Sequence, residues 1–208
     1  PDHAESGRAF MSKAMIRNAQ KIAIKNVELL HAKISEKTPL IGVEPSAILS
    51  FRDEYPNLVP DELIIKSKEI GKNSFLFEEW FAREIEKGRI SPDSFTKAHK
   101  ELIVHGHCHQ KALAGADSSI KALSFPANYK VSAIPSGCCG MAGSFGYELE
   151  HYDVSMKVGE LVLFPSVRTA DKDVIIAASG TSCRHQIKDG TGRQSYHPIE
   201  ILFDALAK

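Results

Sequence analysis

Four short apolar runs, at residues 39–43, 101–104, 131–134 and 173–178, are set apart by longer stretches with helical spacing. Residues 9–35 contain no proline or glycine and place Phe10, Ala14, Met15, Ala19, Ile22, Ala23, Val27, Leu30 and Ile34 mostly three and four positions apart, which predicts an amphipathic helix. Further helices are predicted over 44–52, 74–87, 118–124, 147–164, 182–188 and 197–207. Strands that alternate with helices are joined by crossovers rather than hairpins, and the product is a parallel sheet covered by helices. The predicted class is α/β. In such sheets the loops that leave the carboxyl ends of the strands form the crevice where ligands bind.

The cysteines crowd those loops. Cys108 lies in His105-Gly-His-Cys-His-Gln110, Cys138 and Cys139 precede Gly140, and Cys183 lies in Gly180-Thr-Ser-Cys-Arg184, each about five residues or fewer past a predicted strand end. The first 107 residues contain none. Thiolates are the ligands of zinc and iron-sulfur centres, so three loops that each carry cysteine to one crevice predict a metal site built from Cys108, Cys138, Cys139 and Cys183. Four thiolates suffice for one [4Fe-4S] cluster and equally for tetrahedral zinc. Neighbouring side chains in extended backbone point apart, so the Cys138-Cys139 pair suits a wide cluster gripped from two sides better than a single ion, with zinc as the alternative. Pro135, Gly137 and Gly140 permit the tight turn this needs.

The surroundings of the thiols carry further expectations. Cys108 and Cys183 are predicted at or just before helix N-termini, where the dipole favours the thiolate, and Lys111 and Arg184 would add positive charge. Amides of Gly140 and Gly143 would donate to sulfur. Of His105, His107 and His109 not all can face one ion, because successive side chains alternate in direction. His107 is the first candidate as an alternate ligand, proton partner or substrate contact, and reads equally well as a histidine that supports its loop; His109 is placed beside the site. Glu148 and His151, three apart on a predicted helix, are the remaining proton-transfer candidates, although such a pair is more often a solvated face. A vicinal disulfide or a nucleophilic thiol at Cys138-Cys139 would leave Cys108 and Cys183 without a task. Gly143-Ser-Phe-Gly146 lacks the Lys-Ser/Thr ending of a phosphate loop. Phe75, Phe77, Trp80 and Phe81 sit at helical spacing and predict a core face, or a face that docks another domain.

Charge excludes some partners. Lys plus Arg equals Asp plus Glu at 26 each in 208 residues, so no global field favours nucleic acid or an anionic membrane. No apolar run is long enough to span a bilayer, and the opening residues lack the basic-then-apolar layout of a signal peptide, so a cytoplasmic location with reduced thiols is expected. The absence of an initial methionine suggests a fragment of a longer protein. The chain also echoes itself. Glu5-Ser-Gly-Arg8 matches Cys138-Cys-Gly-Met141, and Glu44-Pro-Ser-Ala47 matches Gly180-Thr-Ser-Cys183, with separations of about 41 and about 44 positions. A duplicated unit would give this spacing, and coincidence between short polar turns is the other explanation.

The stretches His107-Cys-His-Gln-Lys-Ala112, Ser136-Gly-Cys-Cys-Gly-Met-Ala-Gly-Ser-Phe-Gly-Tyr-Glu148 and Thr181-Ser-Cys-Arg184 resemble the cysteine-rich CCG domain. That family occurs in heterodisulfide reductase subunits, in glycolate oxidase iron-sulfur subunits and in iron-sulfur oxidoreductases fused behind FAD-linked oxidases. Glu5-Ser-Gly-Arg-Ala-Phe10, Val43-Glu-Pro-Ser46 and Arg52-Asp-Glu-Tyr55 also resemble the end of a first repeat. The resemblance implies two duplicated Rossmann-like units: the remainder of a first repeat over 1–95 without its ligand cysteines, and a second repeat over 96–208 with a four-cysteine site. It further implies a [4Fe-4S] centre that relays electrons from FAD on an upstream module of the same polypeptide, itself followed by a ferredoxin-like module, to an external acceptor. The parent enzyme would oxidise a D-2-hydroxy acid such as D-lactate, glycolate or D-2-hydroxyglutarate. The family unit ends in a Cys-x-x-Cys pair, and this chain departs by carrying Gly180 at the first position.

Overall fold

The computed structural model describes residues 3–207; Pro1 and Asp2, part of the opening segment read above for a signal, lie outside the described residues, as does Lys208. The chain divides into two compact units, one ending at Leu76 and one beginning at Phe77. The repeat boundary expected from the sequence was 95/96.

The first unit contains α1 (Arg8–Ser12), α2 (Ile16–Leu30), β1 (Leu40–Gly42), α3 (Pro45–Ile48), α4 (Tyr55–Leu58), α5 (Asp61–Lys72) and β2 (Ser74–Leu76). The single helix expected over 9–35 is broken. Ala14 takes a left-handed φ of 55°, the Met15 amide donates to the Phe10 carbonyl at 2.9 Å, and the Ala14 amide donates to Met11. These are the two bonds of a Schellman stop, usually marked by glycine and here made by alanine, which is why the sequence did not show it. Strands β1 and β2 pair in parallel, Leu40 opposite Ser74. Ala23, Val27, Leu30, Leu49, Tyr55, Ile70 and Leu76 form the core. Fully buried Asn26 straps the incoming chain to that core: its Oδ1 accepts from the Ala4 amide at 2.8 Å, and its Nδ2 donates to Glu5 O at 2.8 Å and to the Tyr55 hydroxyl at 2.9 Å. Tyr55 in turn donates to Ser6 O, and burial pushes its pKa up to about 12.

The second unit contains α6 (Phe77–Glu86), β3 (Lys100–His105), α7 (Cys108–Leu113), α8 (Asp117–Leu123), β4 (Tyr129–Ala133), α9 (Tyr152–Leu161), α10 (Leu163–Thr169), β5 (Ile175–Ala178), α11 (Thr181–Thr191) and α12 (Pro198–Asp204). The expected helix over 74–87 therefore begins with a strand, and Phe75 belongs to β2 rather than to the aromatic face. Phe77, Trp80 and Phe81 do form that face, with Phe81 meeting Phe95 and Phe125 edge-on. The helix expected over 147–164 is three pieces. Short 3-10 turns at Phe145–Tyr147 and Leu149–His151 lead into α9, and the chain breaks at Val162 before α10. Pro165 explains the break, since its ring lacks the N–H that would bond back to residue 161 and clashes with that turn.

All three strands of this unit run parallel in the order β4-β3-β5. Side chains alternate across the sheet. Leu102, Val104 and Ala177 join a core with residues of α6, α8 and α12, whereas Ile103, Ile176 and Ala178 face Leu163, Phe164, Val167 and Ile187 of α10 and α11. The structure is thus α/β, with parallel strands and helices on both faces of the larger sheet. The Phe164 ring lies in a slot between Gly159 and Gly190, where an added Cβ would come within 2.3 Å of it. Such packing holds α9, α10 and α11 together.

Candidate metal centre

The chain leaves β3 for β4 on one side and later returns to form β5 on the other, so the loops after β3 and β5 diverge at a switch point, where α/β sheets open a crevice. His105, the last residue of β3, stands in register with Ala178, the last of β5. Alternation places it on the same face as Ile103 and Ala178. Cys108 follows at the first position of α7, Cys183 is the third residue of α11, and the Cys138-Cys139 turn comes off β4. Each of these segments leaves the same edge of the sheet because the strands are parallel.

The four cysteines are free thiols, with Cys108 exposed, Cys138 half-buried, and Cys139 and Cys183 buried. They form one continuous run. Cys108 contacts Cys138, Cys138 contacts Cys139, Cys139 contacts Cys183, and Cys183 contacts His105. A ring nitrogen of His105 and the sulfurs of Cys139 and Cys183 all lie within 4.8 Å of one another. Contact with the neighbouring thiols holds Cys138 far below the ordinary thiol range, and contact with Cys139, then with His105, lowers Cys183; the same contacts push Cys108 and Cys139 far up. Ionising all four would crowd like charges into a partly dry pocket, which a bound cation or iron cluster makes possible.

Backbone geometry favours such charge. The Gly140 amide donates to Cys138 Sγ at 3.3 Å, the Ala142 amide also reaches Cys138, and those of Met141 and His109 reach Cys139 and Cys108. Gly140 has a φ of 104°, Ala142 one of 39° and Gly143 one of 71°, so this loop turns its N–H groups inward as an anion-binding nest does. A Cβ on Gly140 would meet the Ser155 carbonyl at 2.1 Å, which leaves only glycine there.

Gly180 is the second position where backbone approach matters. A Cβ there would lie 2.4 Å from His107 Cδ2 and 3.2 Å from Cys183 Sγ. The His107 ring thus fills the space into which a side chain at 180 would point. His107 also caps α7, its Nδ1 accepting from the His109 amide at 3.2 Å. Lys111 Nζ donates to the carbonyls of Ser136 and Gly137, and Arg184 donates to those of Ala178 and Ser179 at 2.9 and 2.7 Å. Both cations brace the loops that carry the thiols. Glu148 and His151 lie 2.9 Å apart in the 3-10 turns, not on one α-helix, and the His151 ring stacks on Phe145 with centroids 4.0 Å apart.

Sequence reasoning missed the parts played by His105 and Glu78 here. His105 is 1% exposed, its Nδ1 lies 2.7 Å from Ser136 Oγ, and its Nε2 is buried without a conventional hydrogen bond. The alternation of β3 counted from Ile103 was the available signal. Glu78, on α6, is fully buried and accepts a hydrogen bond from Ser179, the residue before Gly180; burial raises its pKa. Nothing local in the sequence marks that pairing, which spans 101 positions.

A parallel α/β unit whose carboxyl edge gathers four thiols and an imidazole is a candidate thiolate metal-binding module. The chain is similar to D-2-hydroxyglutarate dehydrogenase of Escherichia coli (strain K12), 28% identical over 202 residues that cover 97% of this chain and 19% of that protein. It is also similar to a subunit of the anaerobic glycerol-3-phosphate dehydrogenase of the same strain, 26% identical over 202 residues, which cover 97% of this chain and 49% of that protein. The D-2-hydroxyglutarate dehydrogenase of Pseudomonas putida is 27% identical over 202 residues, 18% of its length. The chain spans from about a fifth to about half of these relatives. No family model matches it, and no solved structure does. The relatives are dehydrogenases, in agreement with the oxidoreductase side of the resemblance. Among the described residues no helix is long and apolar enough to cross a membrane.

Proposed function

We propose that this chain is the iron-sulfur electron-transfer part of a larger FAD-linked dehydrogenase for D-2-hydroxy acids. The observation that carries the reading is the unbroken run of four thiols at the carboxyl edge of a parallel sheet, in a chain similar to dehydrogenases along nearly its whole length. The residues fit such a group: four sulfurs, inward amides, and the buried imidazole of His105 in contact with Cys183. A [4Fe-4S] cluster bound there would supply a one-electron donor and acceptor, with one cysteine sulfur per iron. Cys108, Cys138, Cys139 and Cys183 are the thiols that would hold it, and the amides of residues 140–142 would stabilise its negative charge. FAD and ferredoxin-like modules of the same polypeptide deliver the electrons in the cytoplasm, and an external molecule accepts them.

A zinc site is the second reading, favoured by the compact His105, Cys139 and Cys183 group. Zinc bonds of about 2.3 Å to sulfur and about 2.0 Å to nitrogen set ligand atoms roughly 3.7 Å apart, so little movement would close this group on one ion. Metal and sulfide analysis with electron paramagnetic resonance on anaerobically prepared chain separates the two. About four iron and four sulfide per chain with a reducible signal support the relay. Zinc without iron overturns the cluster, and a chain that takes up neither overturns both. Cys139→Ser is expected to lose the metal while retaining cooperative melting, since the apolar cores do not include the metal.

A further inference from the structure

We infer that His105 takes one metal position of this centre in place of one of the four thiolates assigned above, which makes the donor set mixed sulfur and nitrogen rather than cysteine alone. The inference rests on reading the thiol run as a metal site. It begins from placement: His105 closes β3 in register with Ala178, on the sheet face that also buries Cys139 and Cys183, and its ring is held by strand pairing rather than by a loop. One ring nitrogen lies within 4.8 Å of both sulfurs.

The hydrogen bonding then sorts the two nitrogens. Nδ1 is 2.7 Å from Ser136 Oγ, whose backbone carbonyl is itself tied down by Lys111. A proton on Nδ1 donated to that oxygen leaves Nε2 with a free lone pair, the arrangement in which a metal-bound imidazole is oriented by its other nitrogen. Nε2 is buried and has no conventional hydrogen bond, the ring's contact being with the Cys183 thiol, so its lone pair lies among the candidate metal ligands for an electron acceptor to take up. A metal ion does so.

His107, the candidate favoured from sequence, is arranged the opposite way. Its Nδ1 accepts the His109 amide, so in the neutral ring the proton sits on Nε2, which makes it a donor toward sulfur instead of a ligand. The two histidines therefore take different tasks although they are two residues apart. His105 offers electrons to the metal, and His107 fills the space beside Gly180 and Cys183.

The test reads the metal's ligands directly in the 208-residue chain prepared anaerobically with ¹⁵N-labelled histidine. Chain loaded with iron and sulfide is reduced and studied by pulsed electron paramagnetic resonance; chain loaded with zinc is studied by X-ray absorption at the zinc edge. The expected result is one directly bound histidine nitrogen, lost in His105→Asn and retained in His107→Ala. Asparagine keeps a donor for Ser136 and lacks the distal nitrogen. The wild-type spectrum alone decides if that variant fails to fold: metal in an all-sulfur shell overturns the His105 assignment and leaves the metal site standing. A nitrogen signal that survives His105→Asn in folded protein also overturns it. Chain that binds neither metal overturns the underlying reading, and His105 with it.

Discussion

Gly180 and His107 share one volume, and a double-mutant cycle measures how strictly. Gly180 has φ −76° and ψ 133°, extended backbone open to any residue, so the cost of Gly180→Ala is steric alone. Its methyl would land 2.4 Å from His107 Cδ2 and 3.2 Å from Cys183 Sγ. The imidazole can retreat only by giving up the bond from the His109 amide that caps α7. Overpacking costs about 1–3 kcal/mol and a lost cap about 1 kcal/mol, so Gly180→Ala should destabilise the second unit by about 2 kcal/mol. In a His107→Ala background the space is empty, and the same change should cost less than about 0.5 kcal/mol, a coupling of about 1.5 kcal/mol. Urea titration of the metal-free chain followed by Trp80 fluorescence is the assay, because Trp80 is the chain's one tryptophan and packs in the second unit beside Phe77. Equal costs in both backgrounds would refute the reasoning, as would a neutral Gly180→Ala in the wild type.

Two further outcomes are expected. Asn26→Ala removes the bonds that hold residues 4 and 5, and should cost the first unit about 2–3 kcal/mol while the Ala4 amide, protected in the wild type, exchanges rapidly with solvent; continued protection in hydrogen-exchange measurements would count against the strap. Burial raises the Glu78 pKa above its ordinary 4.5, only partly countered by Ser179 and by the charge of His197, so the folded state binds the extra proton and stability falls as pH rises from about 4.5 through the folded value; Glu78→Gln, which keeps the acceptor for Ser179, should remove that slope and raise the melting temperature at neutral pH but not near pH 4, and identical pH profiles would exclude the idea.

The larger sheet was legible because each of its strands is an apolar run bounded by polar turns, and parallel order followed from the helices between them. β2 was not, since Ser74–Leu76 adjoins the helical pattern of Phe77–Glu86 and three residues carry no period of their own. The stop at Ala14 escaped for a related reason: alanine at a left-handed position gives no signal of the kind glycine gives. In the site, cysteines are conspicuous by residue type, so their convergence could be anticipated from strand ends alone. Which histidine faces them depends on side-chain parity at the end of β3 and on which ring nitrogen is already bonded. Only coordinates supply the second of these.

The departure at Gly180 takes a different meaning once its surroundings are known. Set against the cysteine-rich resemblance, it is a missing thiol, and a missing ligand argues for a weaker or different centre. In space, however, the ring of His107 stands where a side chain at 180 would go, so the two positions are one structural choice. A cysteine there would add a fifth negative charge beside Cys183, already buried and in contact with Cys139. The imidazole fills the same volume without bringing a further thiolate, which lowers the negative charge the pocket must hold. Glycine at 180 and histidine at 107 should therefore vary together, and introducing cysteine at 180 should require a smaller residue at 107.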